Sequence, residues 1–146
     1  MTESEIRSFT EQLVETINSG DWERLRSLYD DDAVLYQATV KKTIVGADHI
    51  INGIKDFGEM SKDWHATIRE LYIVGDTAIM EVSSTGTHTG RFLDYEPTGR
   101  RFDINNCLIY KIKDGKIIKQ TTYFDAATLL RALGLITIPG ARPEAA

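Results

Sequence analysis

Between His65 and Phe124 the chain reads as four successive segments rich in β-branched and aromatic residues, 65–74, 77–89, 100–112 and 116–124. Two of the joins are compact turn signals, Gly75-Asp76 and Asp114-Gly115, and Asp-Gly is a preferred centre for a two-residue hairpin. Short joins make neighbouring strands antiparallel, because a parallel return needs a crossover of a dozen residues or more. The residues before Ser61 have a different texture. Ile6, Phe9, Leu13, Val14 and Ile17 recur at helical spacing over 5–18, with Thr2 or Ser4 as the cap and Ser19-Gly20 as the stop. Asp21 reads as the N-cap of a second helix carrying Trp22, Leu25 and Leu28. The run Asp30-Asp31-Asp32 reads as a solvated turn that ends it, followed by a short strand over 33–37. Ile50, Ile51, Ile54 and Phe57 give a third helix over 48–57, and Asp125 opens a last one that runs to Leu133 before Gly134. Helices first and strands afterwards predict an α+β domain, with the N-terminal helices packed on the concave face of a strongly curved, mostly antiparallel sheet around an inner cavity.

The 146 residues suit one domain, 1–146, with the tail 135–146 read as a pocket lid or dimer contact. A net charge of −5 without a basic stripe makes nucleic acid a poor partner. The acidic, polar start and the lack of a long apolar run exclude a secretory leader and a membrane partner, and one cysteine, Cys107, fits a reducing compartment; a cytoplasmic location is expected. Ile79 and Ile109, on the side of the sheet away from the helices, suggest a homodimer.

The usual cofactor signatures are missing. There is no HExxH among His49, His65 and His88, so no metal is expected. No GxGxxG, P-loop or GxSxG is present either, and no cofactor is expected. Cys107 reads as an inert thiol in mid-strand. What remains is acid–base chemistry on a small-molecule substrate.

Asp125 is the leading candidate. Strand alternation puts Thr121, Tyr123 and Asp125 on one face. The residue is also well placed to cap the last helix, and the two roles pull its pKa in opposite directions: helix N–H groups favour the carboxylate, an apolar cavity the neutral acid. His88 shares a face with Ala78, Met80, Val82, Ser84 and Gly86, and either reaches the cavity or is a hydrogen-bonded core histidine. His65, after Trp64, faces either way. Asn106 shares the face of Phe102, Ile104, Leu108 and Tyr110, where a buried amide ties the core together or reads a ligand oxygen. Tyr29 and Tyr36 are either core residues or cavity hydroxyls.

Three stretches, GDWERLRSLYDDDAVLY (20–36), GTHTGRFLDYEPTGRRF (86–102) and DGKIIKQTTYFDAATLLRALGL (114–135), resemble the SnoaL-like polyketide cyclases, in the superfamily that includes ketosteroid isomerase, scytalone dehydratase and limonene epoxide hydrolase. The resemblance implies a cone-shaped α+β barrel with a deep apolar pocket, a homodimer, and a cofactor-independent cyclase, isomerase or dehydratase acting on an apolar, carbonyl-bearing, polyketide-like molecule. A non-catalytic binding or dimerisation module and an epoxide hydrolase are the alternatives. By the same resemblance the acid/base aspartate falls on Asp125, while a histidine common in the cyclases falls near Leu108. The ketosteroid isomerase residues fall on Leu13, near Gln37 and near Cys107 or Leu108, and the epoxide hydrolase Arg-x-Asp pair on Val82 and Ser84, so both of those sets are broken. Scytalone dehydratase matches at His65, His88, Asn106 and Tyr36, but its Tyr-Asp pair falls on Ile17-Asn18. The resulting site has Asp125 and His88 as catalytic residues, with His65, Asn106, Tyr36, Tyr123, Leu108 and Trp64 against the substrate.

Overall fold

The computed structural model describes residues 1–140, so the end of the tail read as a lid or dimer contact, 141–146, lies outside the described residues. The elements run α1 (Glu3–Ser19), α2 (Trp22–Ser27), β1 (Tyr29–Gln37), β2 (Lys42–Val45), α3 (Ala47–Met60), β3 (His65–Val74), β4 (Thr77–Thr87), β5 (Arg101–Lys113), β6 (Lys116–Phe124) and α4 (Ala126–Ala132). Each helix starts where its chemistry allows. Thr2 and Glu5 form a reciprocal capping box on α1, and Gly20 closes that helix in the left-handed conformation at φ 70°. Asp21 caps α2 through the Arg24 N–H.

Six strands form one curved, unclosed sheet in the order β2-β1-β6-β5-β4-β3. All neighbours are antiparallel except β1 and β6, which are parallel. The hairpin at Asp114-Gly115 has positive φ at both residues, 51° and 75°, as its two-residue turn requires.

Two readings of the sequence are corrected here. The acidic run 30–32 is not a turn but the start of β1, which begins at Tyr29. Tyr29 is fully buried and Arg26 pairs with Asp31, so the strand gains a core anchor and neutralises part of its charge. Edge strand β2 was not foreseen; its side chains are almost all exposed, so it carries no burial periodicity to read.

One face of the sheet packs on the helices. Along β4 the buried residues Ala78, Met80, Val82, Ser84 and Gly86 lie on it, as the alternation requires. The apolar interior falls into two clusters. The larger joins α1, α2 and α3 to the sheet through Leu13, Leu25, Ile50, Leu35, Met80 and Tyr110. The smaller joins Met60, Phe102 and Ile104 to Leu129 and Leu133 at α4. Among the described residues no helix is long and apolar enough to cross a membrane.

Candidate functional site

The boundary between the two clusters is where polar groups enter the helix-covered face. Along β5 that face reads Tyr110 in the larger cluster, Leu108 packed against it, then Asn106, then Ile104 and Phe102 in the smaller cluster. Asn106 therefore interrupts an apolar row at the seam, and its Oδ1 is buried without a hydrogen-bond partner. On β1 the same face runs through the buried Ala33 and Leu35 and ends at Gln37, whose Oε1 is also buried and unpartnered. Trp64 supplies a third such atom, Nε1. Its ring meets Phe57 of the smaller cluster edge-on at 4.7 Å, and Gly58 lies between it and Trp22 of the larger one.

An unmet buried polar atom costs about 1–3 kcal/mol. Each of these atoms, two acceptors and one donor, is a buried polar atom that a hydrogen-bonding group of a ligand would satisfy. Sequence reading singled out Asn106 and Trp64 and passed over Gln37; the available signal was a polar residue ending an otherwise apolar alternation.

Asp125 lies elsewhere. Its carboxylate is exposed and caps α4, accepting the Thr128 N–H at 3.0 Å and the Thr128 hydroxyl at 2.5 Å. The Thr128 hydroxyl, then its backbone N–H, then the nearby Arg131 charge hold the Asp125 pKa below the ordinary carboxylate value against a small opposing effect of burial. The dry carboxylate expected from the sequence is replaced by a wet, capped one, because strand alternation after the inward-facing Phe124 turns position 125 to the other side. There it lines an open groove of about 560 Å³ with Tyr123, Asn105, Asn106, Cys107, Glu81 and Arg69. Tyr123 is 51% exposed, and Glu81, Cys107 and Tyr123 form one cross-strand row of the helix-free face.

His88 is fully buried just past the end of β4. Its Nδ1 accepts the backbone N–H of Thr98 at 3.1 Å, so the ring proton sits on Nε2, which is unpartnered. Val82, the cross-strand partner of Asn106, is six positions from His88, roughly 20 Å along the strand. The composite pocket of Asp125, His65, His88, Asn106 and Tyr36 is therefore not assembled. His65 is exposed and pairs with Thr85, and Tyr36 pairs with Thr121; alternation puts both on the helix-free face. Of the eight residues, Asn106 and Leu108 share the helix-covered face of β5, Trp64 packs on Phe57, and the groove brings together Asp125, Asn106 and Tyr123.

Known proteins share this architecture. AclR from Streptomyces galilaeus, described as a candidate hydroxylase, has a TM-score of 0.85 at 20% identity, over 95% of this chain and 87% of that one. TsrD from Streptomyces laurentii has 0.82 at 22%, over 93% and 99%. IdmH from Streptomyces antibioticus, described as a candidate polyketide cyclase, has 0.76 at 28%, over 88% and 97%. No curated protein matches the chain. The sequence model of the SnoaL-like polyketide cyclases matches residues 7–133, from within α1 to the end of α4. A helix-backed curved sheet, a polar seam in an apolar interior and a family match along nearly the whole chain lead to one assignment: the chain belongs to the SnoaL-like polyketide cyclase family.

Proposed function

We propose that this chain is a cofactor-independent enzyme of the cyclase type, acting on an apolar, carbonyl-bearing small molecule that enters the seam. The observation that carries this is Asn106: an amide whose oxygen is buried and unpartnered at the one interruption of an apolar strand face. Ring closure, isomerisation and dehydration next to a carbonyl all pass through an enol or enolate, and preplaced donors aimed at the developing oxygen supply much of the rate. The Trp64 N–H is such a donor, and Asn106 Oδ1 is an acceptor for the O–H of the enol form. The base in this scheme is Asp125, the residue after Phe124, which is the register partner of Asn106. Its Thr128 bonds keep it ionised at neutral pH, so it is in the form that accepts a proton, and it lines the groove that Asn106 also borders.

One observation favours a second reading, a binding module without catalysis. Both Asp125 oxygens are occupied at the surface, as in an ordinary helix cap. Deuterium exchange into enolisable ketones separates the two. The enzyme exchanges the hydrogen next to the carbonyl, Asp125→Asn loses about 10²-fold or more of that rate, and Asn106→Leu also loses rate. Exchange no faster than buffer leaves the binding module, and exchange above buffer but equal in wild type and Asp125→Asn removes Asp125 from the mechanism.

A further inference from the structure

A buried polar chain on the inner face ends at the seam. The Tyr29 hydroxyl donates to Gln120 Oε1 at 2.5 Å, and Gln120 Nε2 donates to Thr122 Oγ1 at 3.0 Å. Tyr29, Gln120 and Thr122 are 0%, 4% and 6% exposed. Burial pushes the Tyr29 pKa well up, so the phenol stays a neutral donor and the direction of the chain is fixed. Thr122, already accepting from Gln120, keeps its own hydroxyl hydrogen to donate onward. Its register partner across the β1–β6 pair is Gln37, whose Oε1 is buried with no donor.

Thr122 and Gln37 thus stand side by side as one donor and one acceptor. That is the full complement of a hydroxyl group, which accepts from the first and donates to the second. We infer that Gln37 and Thr122 form a hydroxyl-reading pair that makes the seam selective for neutral, ring-bearing ligands carrying an enol or phenol O–H. This rests on the seam being the ligand site, as proposed above. A ketone without a hydroxyl satisfies Thr122 alone. A carboxylate brings negative charge against the Gln37 carbonyl oxygen and has no hydrogen to give it. The Tyr29–Gln120–Thr122 bonds fix the donor side of the pair before the ligand arrives.

The test is calorimetric binding of three probes to the full chain: 6-hydroxy-1-tetralone, 1-tetralone and the tetralone carrying a carboxylate at the hydroxyl position. The hydroxy compound is expected to bind about tenfold or more tighter than 1-tetralone, and the carboxylate weakest, because a site built for a hydroxyl strongly rejects the analogue without one. Gln37→Leu brings the hydroxy/plain ratio to about one, and Gln37→Glu, which keeps an acceptor, retains the preference. A ratio unchanged in Gln37→Leu, tightest binding by the carboxylate, or no binding of any probe overturns the inference. Exchange of the hydrogen at carbon 2 of the same probes is read separately. Preference without exchange keeps the pair and removes the enzyme; exchange without preference does the reverse.

Discussion

Thr128 gives Asp125 two hydrogen bonds, one from its backbone N–H and one from its hydroxyl, and so ties the last residue before α4 to the first turn of that helix. The helix matters to the interior because Leu129 and Leu133 are fully buried against Met60, Phe102 and Ile104. Loss of the cap is expected to cost about 1 kcal/mol in Asp125→Ala. The sign of the pH dependence follows from the lowered pKa. A carboxylate held lower in the folded than in the unfolded chain contributes stability above its unfolded value, about 3.9, and loses it as pH falls through the folded value. Urea midpoints of wild type and Asp125→Ala should differ at pH 7 and converge on acidification below pH ~4. A gap that persists in acid would show that the carboxylate charge is not what holds the helix end.

Thr128→Val is the companion change. It removes the largest influence holding Asp125 low but leaves the backbone N–H in place. The Asp125 pKa, followed by carbon NMR of the carboxylate, should rise. If Asp125 is the proton acceptor of the exchange reaction, the acidic limb of its pH–rate profile moves up with it. A shifted pKa with an unmoved profile would take Asp125 out of the chemistry.

Asn18 clamps β3 to the end of α1. Its Nδ2 donates to Ala66 O at 2.9 Å and its Oδ1 accepts the Ala66 N–H at 2.8 Å. Trp64, a donor of the seam, lies two residues before that clamp. Asn18→Ala leaves both Ala66 backbone groups unmet, at about 1–3 kcal/mol for a buried group. Urea unfolding should show that loss, and Asn18→Asp, which keeps the acceptor, should lose less. Equal stability of Asn18→Ala and wild type would mean that water replaces the clamp.

The fold was legible because its signals are local and periodic. Thr2, Asp21 and Asp114-Gly115 do what caps and hairpin turns do wherever they occur, and the 2-residue period of β4 gave its buried face residue by residue. The start of β1 was not legible, because three consecutive aspartates argue for solvent. The buried Tyr29 and the Arg26–Asp31 pair override that preference through contacts between residues from different elements. The site was read only in part for a related reason. Alternation fixes which residues share a face on one strand, but whether Tyr36 and Asn106 face the same way depends on the register across β6 and β5, which has no trace in either segment. Gln37 was passed over because an amide on a strand says nothing until the sheet shows it next to Thr122.

At Gly86 the helix-covered face closely approaches Ser61, the residue after α3. A Cβ there would collide with Ser61 Oγ and stand 2.8 Å from Phe102 Cζ. Ser61 cannot yield freely, since its hydroxyl accepts the Thr87 N–H at 3.1 Å and donates to Asp63 at 3.1 Å. Gly86→Ala is therefore expected to cost about 1–3 kcal/mol as overpacking. The double change Gly86→Ala with Ser61→Gly should recover part of it by vacating the space. Thermal unfolding of the three variants decides; a Gly86→Ala protein as stable as wild type would mean that the strand shifts at no cost.

His88 anchors the loop that returns the chain from β4 to β5. Its backbone N–H donates to Arg100 O at 2.9 Å, its carbonyl accepts the Gly99 N–H at 3.0 Å, and its Nδ1 accepts the Thr98 N–H at 3.1 Å. A backbone N–H always donates, so Nδ1 must lack a proton and the neutral ring carries its hydrogen on Nε2. Nitrogen NMR of labelled protein should show the Nε2–H tautomer at neutral pH. The amide of Thr98 should exchange with solvent faster in His88→Phe than in the wild type. If the ring carries its proton on Nδ1, or if Thr98 exchange is the same in His88→Phe, the loop is held by its backbone pairing with Arg100 and Gly99 alone.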